Sequence, residues 1–325
     1  MKPKIFIGSS SEKISLLKKV KKQLKPIADI VAWTDENAFT LNRSALDSLV
    51  KQARVSDFAI LIATKDDIIK IPSRSLTKQA PRDNIIFEFG LFLGAISLDR
   101  AYLLAEDGID LPSDLNGITV LSFTTNPKSY NFINKQCRII INNIIKFSEQ
   151  GELGFVPSTA LAIGYYNSYI KRLCEELGTI KKIIYNDNEL QLNSIKLNVI
   201  LPEVIDETGV IDFFNRFIIT RKLVTASTLE KDPSKRSSAF YFKIDIPTLN
   251  SDGKADITIY DVPSTINTIG ETLKIYYPLR TIGKDKDRDH LEKRELLNFA
   301  NVLKYFIGRS VWTNDSVVVE ESVII

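Results

Sequence analysis

Among the carboxylates of this sequence, Glu88 is the one whose position is hardest to explain by a purely structural role. It stands between Phe87 and Phe89 in the otherwise apolar stretch 85–96. Burying an ionised carboxylate is costly unless it faces a cleft or a partner, and carboxylates with shifted pKa values concentrate at functional sites. A structural Glu88 that is ion-paired or reaches solvent is the alternative. We therefore regard Glu88 as a candidate functional residue.

Histidine and cysteine are scarce, which narrows the possible chemistry. The one histidine, His290, lies in the charged segment 287–290, typical of a solvated helix start, so a two-histidine metal site cannot form. Cys137 and Cys174 stand apart without Cys-x-x-Cys spacing, which predicts small buried hydrophobic residues in a reducing compartment. We expect no metal. An enzyme of this sequence would use carboxylates, hydroxyls, aromatic rings or backbone amides.

Composition and charge exclude several classes of protein. Hydrophobic residues make up 44% of the chain and charged residues 26%, which excludes a wholly disordered protein. A formal net charge of +3 gives no broad positive field, so we expect no nucleic-acid partner. The first residues do not resemble a signal peptide, and the stretch 85–96 is too short to span a bilayer. We expect a cytoplasmic protein without membrane contact.

The length of 325 residues and a change of pattern along the chain predict two modules. In residues 1–150, short apolar runs alternate with helical periods. Strands are predicted at 4–8, 29–33, 58–63, 101–104 and 118–123, and helices at 12–24, 43–53, 83–95 and 130–148. This βαβ alternation predicts a parallel sheet covered by helices, with ligands at the carboxyl ends of its strands.

A break at 151–157, with two glycines and a proline, predicts the domain boundary. We assign residues 1–150 to the first domain, 151–156 to a linker and 157–325 to the second domain. The second domain has a mixed α+β pattern. Helices are predicted at 161–177, 264–276 and 285–306, and strands near 195–201, 217–226, 240–246 and 255–260. The hydrophobic end 317–325 is either an added strand or a contact surface.

The segment after the first predicted strand is a candidate phosphate site. Ser9 and Glu12 have the spacing of a capping box, and exposed amides at a helix start suit a phosphate. A well-capped helix without a ligand is the alternative, because the sequence has neither Gly-x-Gly-x-x-Gly nor a Walker lysine here. Asp83 is expected to cap the helix that carries Glu88.

Several segments of the first module together resemble the bacterial TIR-like domains, specifically the nucleotide-binding TIR family found as effectors in bacterial defence. These segments are 4–10, the strand end at Trp33, 57–60, 82–92 and 111–117. The run Arg-Asp-Asn-x-x-x-Glu-x-Gly-Leu-Phe at 82–92 is the specific part. The resemblance covers residues 1–150 and implies a flavodoxin-like α/β domain with a parallel sheet.

The resemblance implies cleavage of NAD+ between nicotinamide and ribose, with Glu88 as the catalytic glutamate. Departure of nicotinamide leaves an oxocarbenium-like ribosyl centre, which a carboxylate can stabilise. The nicotinamide ring is already cationic and leaves as a neutral molecule, so no general acid and no cofactor are needed. The implied NAD+ contacts are Ser9, Ser10, Trp33, Phe39 and Asp83. For Trp33, core packing is the alternative to stacking on a substrate ring.

Two motifs of the second module could bind a ligand. Segment 161–170 has aromatic residues at helical spacing, and its Gly164 and Ser168 are four apart, so two such helices could approach closely. Segment 260–268 ends a strand and starts a helix, which places Asp261 at a helix N-terminus. A core stripe for the first motif and an ordinary turn cap for the second are the alternatives.

The two motifs, in this order, resemble the cyclic-dinucleotide-binding domain of bacterial STING over residues 157 to about 310. A TIR domain fused to a STING domain is a known bacterial architecture, and the whole chain resembles this TIR-STING family. The second domain is accordingly expected to have the α+β fold of STING.

The STING resemblance also implies contacts with a cyclic dinucleotide. Tyr169 would stack on a guanine, while Asp261 and Thr265 would read the base edge. A hairpin lid between two strands would contact the ligand through Arg236, with Lys235 as the alternative.

Together the two resemblances imply an antiphage effector of the CBASS type. A STING homodimer would bind cyclic di-GMP, since Asp261 can accept hydrogen bonds from guanine N1–H and N2–H. Higher oligomers would follow, and the TIR domains would hydrolyse NAD+ to nicotinamide and ADP-ribose, causing abortive infection. A functional link to a cyclic-dinucleotide synthase is implied. Two alternatives stay open: a non-catalytic TIR module that recruits a partner, and a base-exchange or ribosyl-transfer enzyme that uses the same carboxylate.

Overall fold

The computed structural model describes residues 2–36, 38, 44–115, 118, 120–124, 131–150, 156–205, 209–229, 239–276 and 286–325. The chain divides into two compact units, Met1–Gln150 and Gly151–Ile325. The strands of the first unit are β1 (Lys4–Ser9), β2 (Asp29–Ala32), β3 (Phe58–Ala63), β4 (Asp67–Ile71), β5 (Leu76–Ala80), β6 (Ala101–Glu106) and β7 (Leu121–Phe123). Its helices are α1 (Ile14–Leu24), α2 (Ala45–Val55), α3 (Asp83–Ile96) and α4 (Asn131–Gln150).

The main sheet of the first unit has the order β2-β1-β3-β6-β7, and its neighbouring strands are parallel. Counting only these strands, the order is 2-1-3-4-5, the flavodoxin-like arrangement. In this arrangement the strand order reverses between β1 and β3, and ligands bind at the carboxyl ends of the strands at that point. The parallel sheet predicted from the sequence is confirmed.

The two faces of this sheet pack on different helices. Side chains alternate along each strand, so Phe6 and Leu61 join the core cluster formed with α2 and α3. Phe58 contacts Phe147 of α4, with ring centroids 6.1 Å apart. β3 is buried along its whole length, which explains why its sequence is apolar throughout and does not alternate.

An antiparallel hairpin, β4–β5, was not predicted. It lies between β3 and α3 and pairs Asp67 with Ala80 at its base. Its strands carry exposed apolar residues such as Ile68, which is 68% exposed. The apolar and polar residues of the hairpin do not separate a buried face from an exposed one, so hydrophobic periodicity did not predict these two strands. The strand predicted at 118–123 is also shorter and begins at Leu121.

The second unit is an α+β domain, as predicted. Its strands are β8 (Lys182–Tyr185), β9 (Asn188–Pro202), β10 (Val224–Ser227), β11 (Tyr241–Ile244), β12 (Thr248–Leu249), β13 (Ala255–Asp261) and β14 (Val317–Val323). Its helices are α5 (Val156–Tyr165), α6 (Lys171–Ile180), α7 (Gly209–Arg221), α8 (Asn267–Tyr276) and α9 (Lys286–Ile307), with a π-helical segment (Tyr166–Ile170) between α5 and α6.

The long strand β9 organises this sheet, whose order is β12-β13-β11-β10-β8-β9-β14. Its first residues pair antiparallel with β8, residues 192–199 lie parallel to β13, and residues 197–202 lie parallel to β14. Of the two possibilities for the hydrophobic end of the chain, the structure shows the added strand. The β8–β9 turn, Asn186-Asp187, has positive φ at both residues, which is typical of a two-residue hairpin.

The strand predicted near 217–226 is wrong over most of its length. Residues 209–221 form helix α7, and the strand β10 begins at Val224. The β-branched run 218–220 favours a strand locally. However, Val210, Phe213 and Phe217 follow helical spacing and are buried on one side of α7. Burial of this face outweighs the local preference.

Candidate functional site

Glu88 lies in the second turn of α3, on the helix that connects the hairpin to β6. This helix buries Ile85, Phe89 and Phe92, whereas Phe87 is 57% exposed. The buried residues of the apolar run therefore anchor α3 to the sheet, and Glu88 extends from the boundary of this buried face.

The carboxylate of Glu88 lies against Gly8 at the carboxyl end of β1. A β-carbon built on Gly8 would be 2.8 Å from Glu88 Oε2 and 2.5 Å from Leu61 Cδ1, so any other residue at position 8 would displace its neighbours. No described residue forms a hydrogen bond or ion pair with Glu88, and burial raises its pKa from 4.5 to about 7. An unpaired, mostly buried carboxylate thus stands at the sheet edge where ligands of this fold bind.

Ser9, Ser10 and Trp33 surround the same edge. Ser9 Oγ accepts a hydrogen bond from Trp33 Nε1 at 3.2 Å and donates one to the carbonyl of Ser10 at 3.0 Å. The hydroxyl of Ser10 is buried and has no hydrogen-bond partner among the described residues. Trp33 also packs against the core cluster of this unit. The structure therefore brings these three predicted residues to the strand end that carries Gly8.

The capping box expected between Ser9 and Glu12 is absent. Ser9 still belongs to β1, and Ser10 is the N-cap residue of the following turn, without a side-chain cap bond. Glu12 instead pairs with Arg82 at 2.6 Å, and Arg82 also lies 3.5 Å from Asp67 at the start of β4. No role for Arg82 was expected from the sequence. The structure shows that it ties three segments together beside the sheet edge.

Asp83 is not brought to Glu88. Asp83 is the first residue of α3, and the N-cap position belongs to Arg82, which makes no side-chain cap bond, so the expected cap is wrong. Asp83 Oδ1 accepts a hydrogen bond from the amide of Asn84 at 2.9 Å. Five helical residues turn the chain by about 140° beyond a full turn, so Asp83 and Glu88 point to different sides. Phe39 lies outside the described residues.

A second candidate site is an aromatic cluster where α5 meets the π-helical segment. Tyr165 and Tyr169 stack with ring centroids 5.6 Å apart. Phe240, just before β11, meets Tyr169 edge-on at 5.8 Å. π-Helical turns inside a helix are frequent at functional sites. A single uninterrupted helix was predicted at 161–177, so the π-helical segment was not expected.

Asp261, at the end of β13, faces this cluster. Its Oδ2 accepts a hydrogen bond from the hydroxyl of Tyr165 at 2.5 Å. Burial raises the pKa of Asp261 to about 6, although the hydrogen bond from Tyr165 lowers it. Burial and the nearby Asp261 carboxylate raise the pKa of Tyr165 and Tyr169 well above the usual value. Both phenols therefore stay protonated and can act as hydrogen-bond donors.

Two hydroxyls near Asp261 lack partners. The Tyr169 hydroxyl and Thr265 Oγ1 are buried without a hydrogen bond among the described residues. Thr265 lies four residues after Asp261, in the short helical turn Ser264–Ile266. Buried polar groups are rarely left without a partner. Such groups are expected where a ligand or water binds.

The predicted lid cannot be placed, since Arg236 and Lys235 lie outside the described residues. Another cation is present at the cluster, however. The guanidinium of Arg172 lies over the ring of Phe240, 5.4 Å from its centroid. Neither Arg172 nor Phe240 was expected at a site from the sequence. Arg172 is three residues after Tyr169, a spacing that would have placed it near the same helix face.

Three further features of the described residues bear on function. No group of three or more His, Cys, Asp or Glu side chains among them could hold a metal ion. Within the same residues, no helix is long and apolar enough to cross a membrane. Cys137 and Cys174 are buried free thiols, as predicted, and burial raises the pKa of each to about 11.

Comparison with known proteins matches the chain to two domain families, a TIR family followed by a STING family. Residues 4–125 match the model of the CAP12/Pycsar effector protein TIR domain, and residues 157–304 match that of the prokaryotic STING domain. CD-NTase-associated protein 12 of Sphingobacterium faecium is 47% identical over 96% of this chain and 96% of its own length. Its namesake in Flavobacterium daejeonense is 34% identical over 98% of both chains. A solved bacterial STING in complex with c-di-GMP aligns with 52% of this chain and 96% of its own, at 24% identity and a TM-score of 0.44.

These matches confirm the TIR-STING resemblance proposed from the sequence motifs. The TIR match covers the parallel sheet and the helix with Glu88, and the STING match covers the aromatic cluster and Asp261. High identity extends over nearly the full length of both chains. This chain is a TIR-STING protein and belongs to the CD-NTase-associated protein 12 family.

Proposed function

We propose that this chain is a CBASS-type antiphage effector that hydrolyses NAD+ when it binds cyclic di-GMP. Residues 1–150 would be the catalytic domain, 151–156 the linker and 157–325 the sensor. The observation that carries the proposal is the unpaired, mostly buried carboxylate of Glu88 against Gly8 at the carboxyl edge of the sheet. The protein would act in the cytoplasm, where its substrate is found.

The proposed reaction needs one carboxylate and a good leaving group. The bond between ribose C1′ and the nicotinamide nitrogen breaks, and its electron pair leaves with nicotinamide, which becomes neutral. Ionised Glu88 stabilises the oxocarbenium-like ribosyl centre. Water then attacks C1′ and gives ADP-ribose and a proton. With a pKa of about 7, Glu88 is poised near neutral pH to exchange that proton. No cofactor takes part.

The residues around Glu88 suit the rest of the dinucleotide. The partnerless hydroxyl of Ser10 and the neighbouring Ser9 would contact ribose or phosphate, and Trp33 would offer the face of its ring for stacking. Gly8, which has no side chain, leaves room for the Glu88 carboxylate itself at the strand end. Asp83 and Phe39 remain predictions from the family resemblance.

In the sensor, Tyr169 would stack on a guanine, and Asp261 with Thr265 would accept or donate at the base edge. The partnerless hydroxyls of Tyr169 and Thr265 support a ligand at this point. Arg236 of the lid would contact the ligand as well. Guanine is preferred because its N1–H and N2–H groups both donate hydrogen bonds, and an ionised carboxylate such as that of Asp261 can accept both.

Assembly would couple the two domains. Gly164 of α5 and Ser168 of the π-helical segment are exposed, and no atom lies within 4 Å of a β-carbon built on Gly164, so a second copy can approach this face closely. A homodimer would bind one cyclic di-GMP, and higher oligomers would bring the TIR domains together. The ligand can favour this state only through its higher affinity for it. The relatives' name, CD-NTase-associated protein, supports a link to a cyclic-dinucleotide synthase.

The test is NAD+ consumption by the purified full-length protein, with and without cyclic di-GMP, with the products identified by chromatography. We expect ligand-dependent release of nicotinamide and ADP-ribose, and none from Glu88→Gln. Glu36→Gln, which removes an exposed carboxylate of the same unit, is the control and should stay active. Intact NAD+ at saturating ligand would favour a non-catalytic assembly module. Products other than ADP-ribose would favour base exchange or ribosyl transfer.

A further inference from the structure

The Asp261 carboxylate has one oxygen already engaged. Its Oδ2 accepts the hydrogen bond from Tyr165, and no other described residue donates to the carboxylate of Asp261. Oδ1 and the second lone pair of Oδ2 are therefore left for a ligand. A carboxylate that must present these lone pairs to a base edge needs a fixed rotation about its last side-chain bond, and the Tyr165 donor on Oδ2 supplies it.

Tyr165 is held more firmly than a typical surface donor. Its side chain is 7% exposed. The ring stacks on Tyr169 on one side and packs at a tilt on Phe299 of α9, 6.3 Å between centroids. The ring is thus fixed by its neighbours, and the position of its hydroxyl is fixed with it.

We propose that Tyr165 is the positioning residue for guanine recognition: its buried hydroxyl orients the Asp261 carboxylate and keeps it charged. This inference rests on the proposed binding of cyclic di-GMP. It assigns to Tyr165 a role distinct from that of Tyr169, which would contact the base itself. Tyr165 would act only through Asp261.

The chemistry of guanine makes the charge state decisive. Ionised Asp261 accepts from N1–H and N2–H, whereas a protonated carboxyl would present an O–H donor against these donors. Burial favours the protonated form, and the hydrogen bond from Tyr165 opposes it. The titratable groups of the described residues that face Asp261 are the hydroxyls of Tyr165 and Tyr169. Both are neutral, so the hydrogen bond from Tyr165 is the main interaction that stabilises the negative charge of Asp261.

The test is the affinity of full-length protein for cyclic di-GMP, measured by calorimetry between pH 5.5 and 8.5. Wild-type affinity should fall below about pH 6. Tyr165→Phe should bind roughly tenfold more weakly at pH 8, and its affinity should begin to fall at a higher pH than that of the wild type. Tyr166→Phe, which removes the adjacent hydroxyl on a ring packed against Phe306, is the matched control and should follow the wild-type curve.

Asp261→Asn separates this pH effect from other titrations. Its affinity should be weak and insensitive to pH, and adding Tyr165→Phe to it should leave the curve unchanged. If Tyr165→Phe binds more weakly by one factor at every pH, or as tightly as the wild type, the positioning role is refuted while cyclic di-GMP binding stands. If the wild type binds no cyclic di-GMP at any pH, the proposed function fails and this inference fails with it.

Discussion

Replacing Glu88 with glutamine should abolish NAD+ cleavage and stabilise the first unit at the same time. In the folded protein the pKa of Glu88 is about 7, against 4.5 for an ordinary glutamate. At about 1.4 kcal/mol per pKa unit, charging Glu88 inside the protein costs about 3 kcal/mol more than charging it in the unfolded chain. This is an upper bound, because part of the side chain reaches solvent.

The sign of the effect follows from proton binding. Between pH 4.5 and about 7 the folded state holds a proton on Glu88 that the unfolded state has lost, so stability falls as the pH rises through this window. Above pH 7 both states are ionised and the full cost is present. Glutamine has no such cost. The Glu88→Gln variant should gain up to about 3 kcal/mol at pH 8 and less than about 1 kcal/mol at pH 5.

The assay needs a probe that reports on the first unit in the full-length chain. The sequence has two tryptophans. Replacing Trp312, which is 42% exposed in the second unit, with phenylalanine leaves Trp33 as the single tryptophan. In this background, urea unfolding followed by Trp33 fluorescence at pH 5 and pH 8 then compares the protein that keeps Glu88 with its Glu88→Gln variant.

The matched control is Glu36→Gln, which removes the same charge from an exposed position of the same unit. It should change stability by less than about 0.5 kcal/mol at either pH. If Glu88→Gln gains no stability at pH 8, or gains the same amount at pH 5 and pH 8, the view that Glu88 is an unpaired buried charge is refuted.

Three further outcomes are expected. The kcat/KM for NAD+ cleavage, followed by nicotinamide release in the presence of cyclic di-GMP, should rise with pH and level off above about 7 as Glu88 ionises; a flat profile between pH 5.5 and 8.5 would contradict this. Gly8→Ala should reduce activity at least tenfold by displacing Glu88, and it should cost about 1–3 kcal/mol in urea unfolding, since the added methyl group also crowds the buried Leu61. Its control, Gly90→Ala on α3, meets no atom within 4 Å and should be neutral or stabilising by up to about 1 kcal/mol. Arg82→Gln should change stability by less than about 1 kcal/mol because its ion pairs are exposed, while the rate of NAD+ cleavage falls; an unchanged rate would show that this link between segments is dispensable.

Much of the fold could be predicted from local pattern. The fully buried strand β3 was predicted at its observed bounds because a parallel strand covered on both faces has no polar positions. The alternation of strands and helices led to the parallel sheet, and five short segments, of which 82–92 is the specific part, together led to the TIR family. These signals are local patterns and their order along the chain, so no knowledge of distant contacts was needed.

The errors have a common physical cause. Helix α7 was taken for a strand because the run 218–220 is β-branched, but burial of Phe213 and Phe217 on one helix face decided the matter. The capping box failed because Ser9 pairs with Ile62 of β3 and so extends β1 by one residue. In both places, contacts made elsewhere in the fold outweighed the local preference.

The amino-acid sequence supplies the chemical groups of the protein: a glutamate in an apolar helix, a tyrosine-rich helix and an aspartate at a strand end, with a single histidine. Tertiary structure decided which of them meet. Glu88 reaches Gly8 across 80 positions of the chain, and Tyr165 reaches Asp261 across 96. Burial and neighbouring donors set the pKa of each carboxylate, and both depend on contacts between distant segments, which appear only when the chain is folded.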